Sequence, residues 1–136
     1  MQDVQEVYNF VRKCPAYFIA TYDKEAQQPR VRPFTTFHIF EGKIYIQTGK
    51  KKDVSKQMIS NPKIEISALH GRDKWIRIDA VPVEDPRLEA QQSMLDAFPT
   101  LADRYAVNDG NMQVFYLKDV TATIYSFSGE PKTYKF

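Results

Sequence analysis

The chain has 136 residues, 43% hydrophobic and 26% charged, which fits one domain with a sizeable core and excludes a disordered chain. Nineteen basic residues against 17 acidic ones give a net charge of +2, too balanced for a protein that grips long nucleic acid. The lone Cys14 leaves no intramolecular disulfide, and no apolar run approaches the length that crosses a bilayer. The expectation is one soluble cytoplasmic domain, residues 1–136, without a signal peptide.

Val4, Val7, Tyr8 and Val11 recur at helical spacing, with Asp3 as N-cap and Pro15 as the stop. Strand-like runs follow at Tyr17–Tyr22 and from Pro29 to Phe40, joined by a polar turn. Arg30 and Arg32, two apart, project from one face of an extended chain, and Pro33 beside them argues for an edge strand. Glu41-Gly42 then turns the chain into the strand Lys43-Ile44-Tyr45-Ile46.

That strand feeds Gln47-Thr48-Gly49-Lys50-Lys51-Lys52-Asp53, which opens a helix capped by Asp53, with Val54, Met58 and Ile59 on one face, and stops before Asn61-Pro62. Three lysines at a helix N-terminus oppose the macrodipole, which favours anions there. The stretch reads two ways. It is either solvated loop charge or an anion site built from backbone N–H groups, the Thr48 hydroxyl, a flexible Gly49 and ammonium groups.

Further strands are expected at Ile64–Leu69 and Trp75–Val81, the second with strict alternation of apolar and polar residues. Asp85-Pro86 reads as N-cap and first residue of a helix whose apolar side carries Leu88, Met94, Leu95 and Phe98. Pro99 breaks it, and a helical piece follows from Thr100 to Tyr105. Two final strands, Val114–Lys118 and Val120–Phe127, precede a short tail. Strands joined by short turns point to a mainly β, α+β domain with an antiparallel barrel. His38 and His70 lack partners at metal-ligand spacing, so no metal is expected, and Cys14 reads as packing rather than a nucleophile. No Ser-His-Asp order or carboxylate pair suggests a hydrolase, so no catalytic residue is named.

Pro29-Arg30-Val31-Arg32-Pro33, the Thr48–Lys52 loop, Asn61-Pro62 and Trp75-Ile76-Arg77-Ile78, in this order and spacing, give the chain a recognisable pattern. It resembles the FMN-binding split-barrel family typified by pyridoxamine 5′-phosphate oxidase, in particular its short members related to nitroimidazole-resistance proteins. The resemblance implies a six-stranded antiparallel split β-barrel with N-terminal, inserted and hairpin helices. It also implies a homodimer with FMN in the groove between subunits.

Carried over to this sequence, Arg32, Thr48, Gly49, Lys51 and Lys52 line the phosphate site, with Arg30 a further candidate. Phe34 lies near the isoalloxazine, and Trp75 approaches the flavin from the second subunit. The substrate wall is expected from the Arg72–Trp75 turn and from residues 86–105.

Three departures argue against a true pyridoxamine 5′-phosphate oxidase. Lys52-Asp53-Val54 stands where those enzymes have Ser-Arg-Lys, their C-terminal substrate segment does not follow Phe136, and Ala80 replaces a common glycine. The function implied is an FMN-dependent oxidoreductase passing electrons from a reduced nicotinamide or other donor to a small organic acceptor. The alternatives are a non-enzymatic flavin, haem or deazaflavin binder, and a small nucleic-acid-binding barrel, which the charge balance disfavours.

Overall fold

A computed structural model describes residues 2–136. Three α-helices and eight strands alternate as α1 (Gln2–Arg12), β1 (Tyr17–Asp23), β2 (Gln28–Phe34), β3 (His38–Phe40), β4 (Lys43–Gly49), α2 (Asp53–Ser60), β5 (Ile64–His70), β6 (Lys74–Glu84), α3 (Leu88–Ala97), β7 (Met112–Ser126) and β8 (Lys132–Lys135). A short 3-10 helix, Pro99–Asp103, follows α3. The strands form one antiparallel sheet in the order β2-β1-β5-β6-β7-β4-β3, with β8 also paired to β7.

The expected six-stranded barrel is thus corrected to an eight-strand sheet that does not close: β2 and β3 are its two edges. The Pro29–Phe40 run breaks at residues 35–37, separating β2 from the short β3. The two strands expected at the C-terminal end are instead one strand of 15 residues, and the tail contains β8. Asp119, at φ 51°, lies opposite a register shift between Asp79 and Val81, so the β6–β7 ribbon bends there without ending. Ala80 occupies that shift and is buried.

Alternation explains the sheet's inner face. Ile64, Ile66 and Ala68 of β5 and Ile76, Ile78 and Ala80 of β6 point inward and pack under α1, which contributes Val4, Val7, Phe10 and Val11. Phe10 takes the core place that the spacing assigned to Tyr8, which is only partly buried. The β3–β4 turn has positive φ at both Glu41 and Gly42, the type I′ geometry whose twist suits a hairpin.

Helix caps differ from expectation. Asp53 is the first residue of α2 rather than its cap, which is Lys52 in an extended conformation. Ile59 faces solvent, while Val54, Ser55 and Met58 are buried. Helix α3 begins at Leu88, not at Pro86. Asp85 turns away from the helix and accepts hydrogen bonds from the Arg87 N–H and guanidinium and from the Tyr45 hydroxyl. Leu88 is exposed; Met94 is buried as expected, Leu95 and Phe98 are partly buried against the cluster that holds it, and Ala90 and Gln91 are buried as well. A second apolar cluster of Tyr45, Ala90, Met94, Tyr105, Met112 and Val114 seats α3 and the 3-10 helix on β4 and β7. Full burial of Met94 alone contributes roughly 2 kcal/mol to that seating.

Candidate functional site

Beyond Tyr45, the edge of β4 that faces away from β7 has no strand partner, because β3 pairs only with residues 43–45. The Thr36 side chain covers part of this edge: its hydroxyl accepts from the Gln47 N–H at 3.1 Å and donates to the Gln47 carbonyl at 3.4 Å. Tyr17 fixes the same segment by donating its hydroxyl to the Thr36 carbonyl at 2.5 Å. Between this edge and β2 lies a cavity of about 290 Å³. Its walls come from Arg32, Phe34, Thr48 and Lys52 together with Leu101, Arg104 and Tyr105, and no lining residue is a carboxylate.

Arg32 enters this wall from the edge strand β2. Its Nη1 donates to the Thr21 hydroxyl at 2.7 Å and to the Ile19 carbonyl at 3.2 Å, and its Nη2 donates to Gln57 Oε1 at 2.9 Å. All these acceptors are neutral. Burial pushes the Arg32 pKa down, the Asp53 charge pulls it back, and Arg30 depresses it further; a guanidinium remains charged under such shifts.

Thr48 is buried on β4, and its Oγ1 is the one buried side-chain polar atom without a hydrogen-bond partner among the described residues. Such an atom costs roughly 1–3 kcal/mol unless a ligand or water satisfies it. Gly49 follows, and a Cβ there would stand 3.0 Å from the Tyr105 hydroxyl and 3.1 Å from Asn111 Oδ1. The glycine therefore serves close packing, not a left-handed backbone.

The loop N–H groups expected to await an anion are already used. Lys50 N–H donates to the Asn111 carbonyl, Lys51 N–H to Asn111 Oδ1, and Lys52 N–H to the Gly49 carbonyl. The N–H groups of Asp53 and Val54, the first two of α2, have no backbone acceptor among the described residues.

Of the residues singled out in the sequence, Arg32, Phe34, Thr48 and Lys52 line one cavity, and Gly49 packs against Tyr105 in its wall. Arg30 turns to Asp23, 3.3 Å away, and Lys51 is exposed; neither lines the cavity. Trp75 is elsewhere, stacked on Tyr125 at 5.3 Å and against Phe127 at 5.0 Å on the outer face of β6 and β7. The 86–105 segment does supply wall residues, whereas the Arg72–Trp75 turn supplies none.

Arg104 and Gln57 escaped the sequence reading. Arg104 follows a proline-broken helix with no periodicity to mark it. Gln57 carries no charge to draw notice, although its position four residues after Asp53 puts it on the first turns of α2.

Among solved structures, the chain is 38% identical to a NimC/NimA family protein from Clostridium acetobutylicum, with a TM-score of 0.94 over 99% of this chain and 93% of that one. The chain belongs to the NimC/NimA family. A second protein from the same organism, related to general stress protein 26 and described as of the pyridoxinephosphate oxidase family, matches at 11% identity and a TM-score of 0.69, covering 99% of this chain and 95% of its own. A heme binding protein from Mycobacterium smegmatis matches at 13% identity and a TM-score of 0.71, covering 98% of this chain and 57% of that one. This NimC/NimA chain therefore has the pyridoxine-phosphate-oxidase-like split-barrel fold, with its sheet left open. No protein-family model and no curated protein matches the sequence.

Proposed function

We propose that this NimC/NimA protein binds FMN, with the phosphate in the Arg32–Thr48–Lys52 cavity, and serves as an oxidoreductase for a small organic acceptor. The observation that carries the reading is a cavity lined by three cations and no carboxylate, with Thr48, whose buried hydroxyl has no partner among the described residues, in its wall. A phosphate monoester, bearing about −1.5 to −2 charge at neutral pH, is suited to that donor set. Arg32, Lys52 and the Thr48 hydroxyl would hold the phosphate, with Arg104 on the opposite wall and Phe34 beside the ring system.

Bound flavin supplies the redox chemistry; the chain's residues bind and orient it and keep water from it. The cavity of about 290 Å³ is small beside the roughly 300–1,000 Å³ usual for sites that enclose a whole cofactor. A second wall is therefore needed, and a second copy of the chain is proposed to provide it. Phe18, Val31, Leu69 and Phe127 are all large apolar side chains at least half exposed, and the Trp75 stack adjoins Leu69 and Phe127, a face suited to burial in a homodimer.

Haem fits this donor set less well. No His, Cys or Met lines the cavity, and the Tyr105 hydroxyl is packed over Gly49.

The test is a visible titration of the purified protein with FMN, followed by desalting and by the same titration with riboflavin. Retention of about one FMN per chain, with riboflavin held at least roughly tenfold more weakly, supports the site. A protein that retains neither overturns it. Catalytic oxidation of NADH or NADPH by the loaded protein separates an enzyme from a flavin store, which turns over no donor.

A further inference from the structure

The Arg32 guanidinium is held by neutral acceptors, unlike the three arginines that make ion pairs among the described residues. Arg30, Arg77 and Arg87 each rest on a carboxylate: Asp23 at 3.3 Å, Glu65 at 2.8 Å, and Glu41 and Asp85 at 2.7 and 2.9 Å. Arg32, the one of the four that lines the cavity, rests on the side-chain amide of Gln57. Gln57 Oε1 accepts from Arg32 Nη2 at 2.9 Å and from the Thr21 hydroxyl at 2.5 Å, and that hydroxyl in turn accepts from Arg32 Nη1 at 2.7 Å.

The ring of bonds sets every proton's direction. Arginine can only donate, so the Thr21 hydroxyl accepts from Arg32 and gives its proton to Gln57, and the amide must present oxygen rather than nitrogen. Gln57 sits on α2, the helix that begins beside Lys52, while Arg32 belongs to β2 and Thr21 to β1. One neutral oxygen thus ties the strand that bears Arg32 to the helix that follows Lys52, two of the three cavity cations.

We infer that Gln57 is the positioning residue of the anion site, aiming the Arg32 guanidinium into the cavity while leaving its charge uncompensated. An isosteric glutamate would aim it equally well but would also neutralise it. A bidentate carboxylate partner consumes the donors and the charge that an incoming phosphate needs. Asp53, whose field reaches Arg32, makes no ion pair with it, and Lys52 and Arg104 carry no ion pair among the described residues. The cavity's positive charge is thus kept available by an amide placed where the chain elsewhere uses an acid. The inference rests on the cavity being an anion site, as proposed above, and not on the anion being flavin.

The experiment compares the wild-type protein, Gln57→Glu and Gln57→Leu by thermal unfolding with and without inorganic phosphate, and by FMN titration. Phosphate is expected to raise the wild-type midpoint. Gln57→Glu should unfold at or above the ligand-free wild-type midpoint yet lose that phosphate shift, and its FMN affinity should fall at least about tenfold. Gln57→Leu, which removes the acceptor without adding charge, should keep a reduced shift between the two. If glutamate folds poorly, the leucine variant decides: a full phosphate shift there overturns the role.

Two other results overturn it. One is a wild-type midpoint indifferent to phosphate; the other is a glutamate variant that responds to phosphate as the wild type does. A wild type that ignores FMN but is stabilised by phosphate through Gln57 would remove the flavin reading and leave this one standing.

Discussion

The Tyr45 hydroxyl donates to Asp85 Oδ2 at 2.7 Å, joining the middle of β4 to the residue that follows β6. Asp85 is buried, and Arg87 closes the other side of its carboxylate with Nε and Nη2, while also reaching Glu41 on the β3–β4 turn. The Arg87 guanidinium, with Tyr45, holds the Asp85 carboxyl down to about 2 against the cost of burial. Burial first and Asp85 second push the Tyr45 phenol up to about 12.

A carboxyl whose pKa is depressed in the folded state contributes stability that is fully present above its unfolded value and is lost as pH falls through the folded one. For Asp85 the window runs from about pH 4 down to about pH 2, and the contribution is about 2 kcal/mol. Urea unfolding at a series of pH values is expected to show this loss in the wild type and a flatter curve in Asp85→Asn. Tyr45→Phe, which removes one hydrogen bond to a charged group, should cost about 1–3 kcal/mol at pH 7.

Thr48→Val separates a binding role from a structural one. The Thr48 hydroxyl makes no hydrogen bond among the described residues, so replacing it with a methyl group breaks none of theirs. The ligand-free variant should be as stable as the wild type or more stable, by up to roughly 1 kcal/mol, because a buried polar atom is relieved. Its FMN affinity should nevertheless drop several-fold in a fluorescence titration, since the ligand loses a donor. A destabilised variant with unchanged affinity would show that the hydroxyl serves the fold.

The lysines of the loop should not be equivalent. Lys52 lines the cavity and Lys51 does not. Lys52→Ala and Arg32→Ala are each expected to weaken FMN binding by more than about tenfold, the worth of a charge-assisted hydrogen bond. Lys51→Ala should change it by no more than about threefold, through long-range charge alone. Calorimetric titration at low and physiological salt checks the ranking, and equal losses for the two lysines would count against the cavity as the phosphate site.

Gly49→Ala should strain the loop. A methyl group at 3.0 Å from the Tyr105 hydroxyl and 3.1 Å from Asn111 Oδ1 must displace one of them. Asn111 also accepts from the Lys51 N–H and, through its carbonyl, from the Lys50 N–H. The expected cost is about 1–3 kcal/mol in urea unfolding, with weaker FMN binding as the loop shifts.

How much of this was legible in the sequence depends on range. The inward residues of β5 and β6 were readable because alternation is a local property of the chain. The edge position of β2 followed from Pro33. The open sheet was not readable, because closure depends on whether Thr36 continues a strand or caps one with its hydroxyl, and both use the same residue. The single long β7 was hidden by Asp119, whose positive φ reads as a turn but here marks a bend. Asp85-Pro86 imitated a helix start, while the carboxylate was claimed by Tyr45, 40 positions earlier. In the candidate site, Arg32 was named through the resemblance and Lys52 through the lysine loop as well; the placing of Gln57 and Arg104 required the tertiary structure.

Strand β7 follows in the chain every strand of the two sheet sections it joins: β2-β1-β5-β6 on one side and β4-β3 on the other. Without β7 those sections have no strand pairing to each other, and each presents an unpaired strand edge at β6 and at β4. Their union waits for residues 112–126, so the last long-range pairing is also the one that builds β4 into the cavity wall. A chain cut before Met112 is left with both of those edges unpaired and should aggregate more than the full chain.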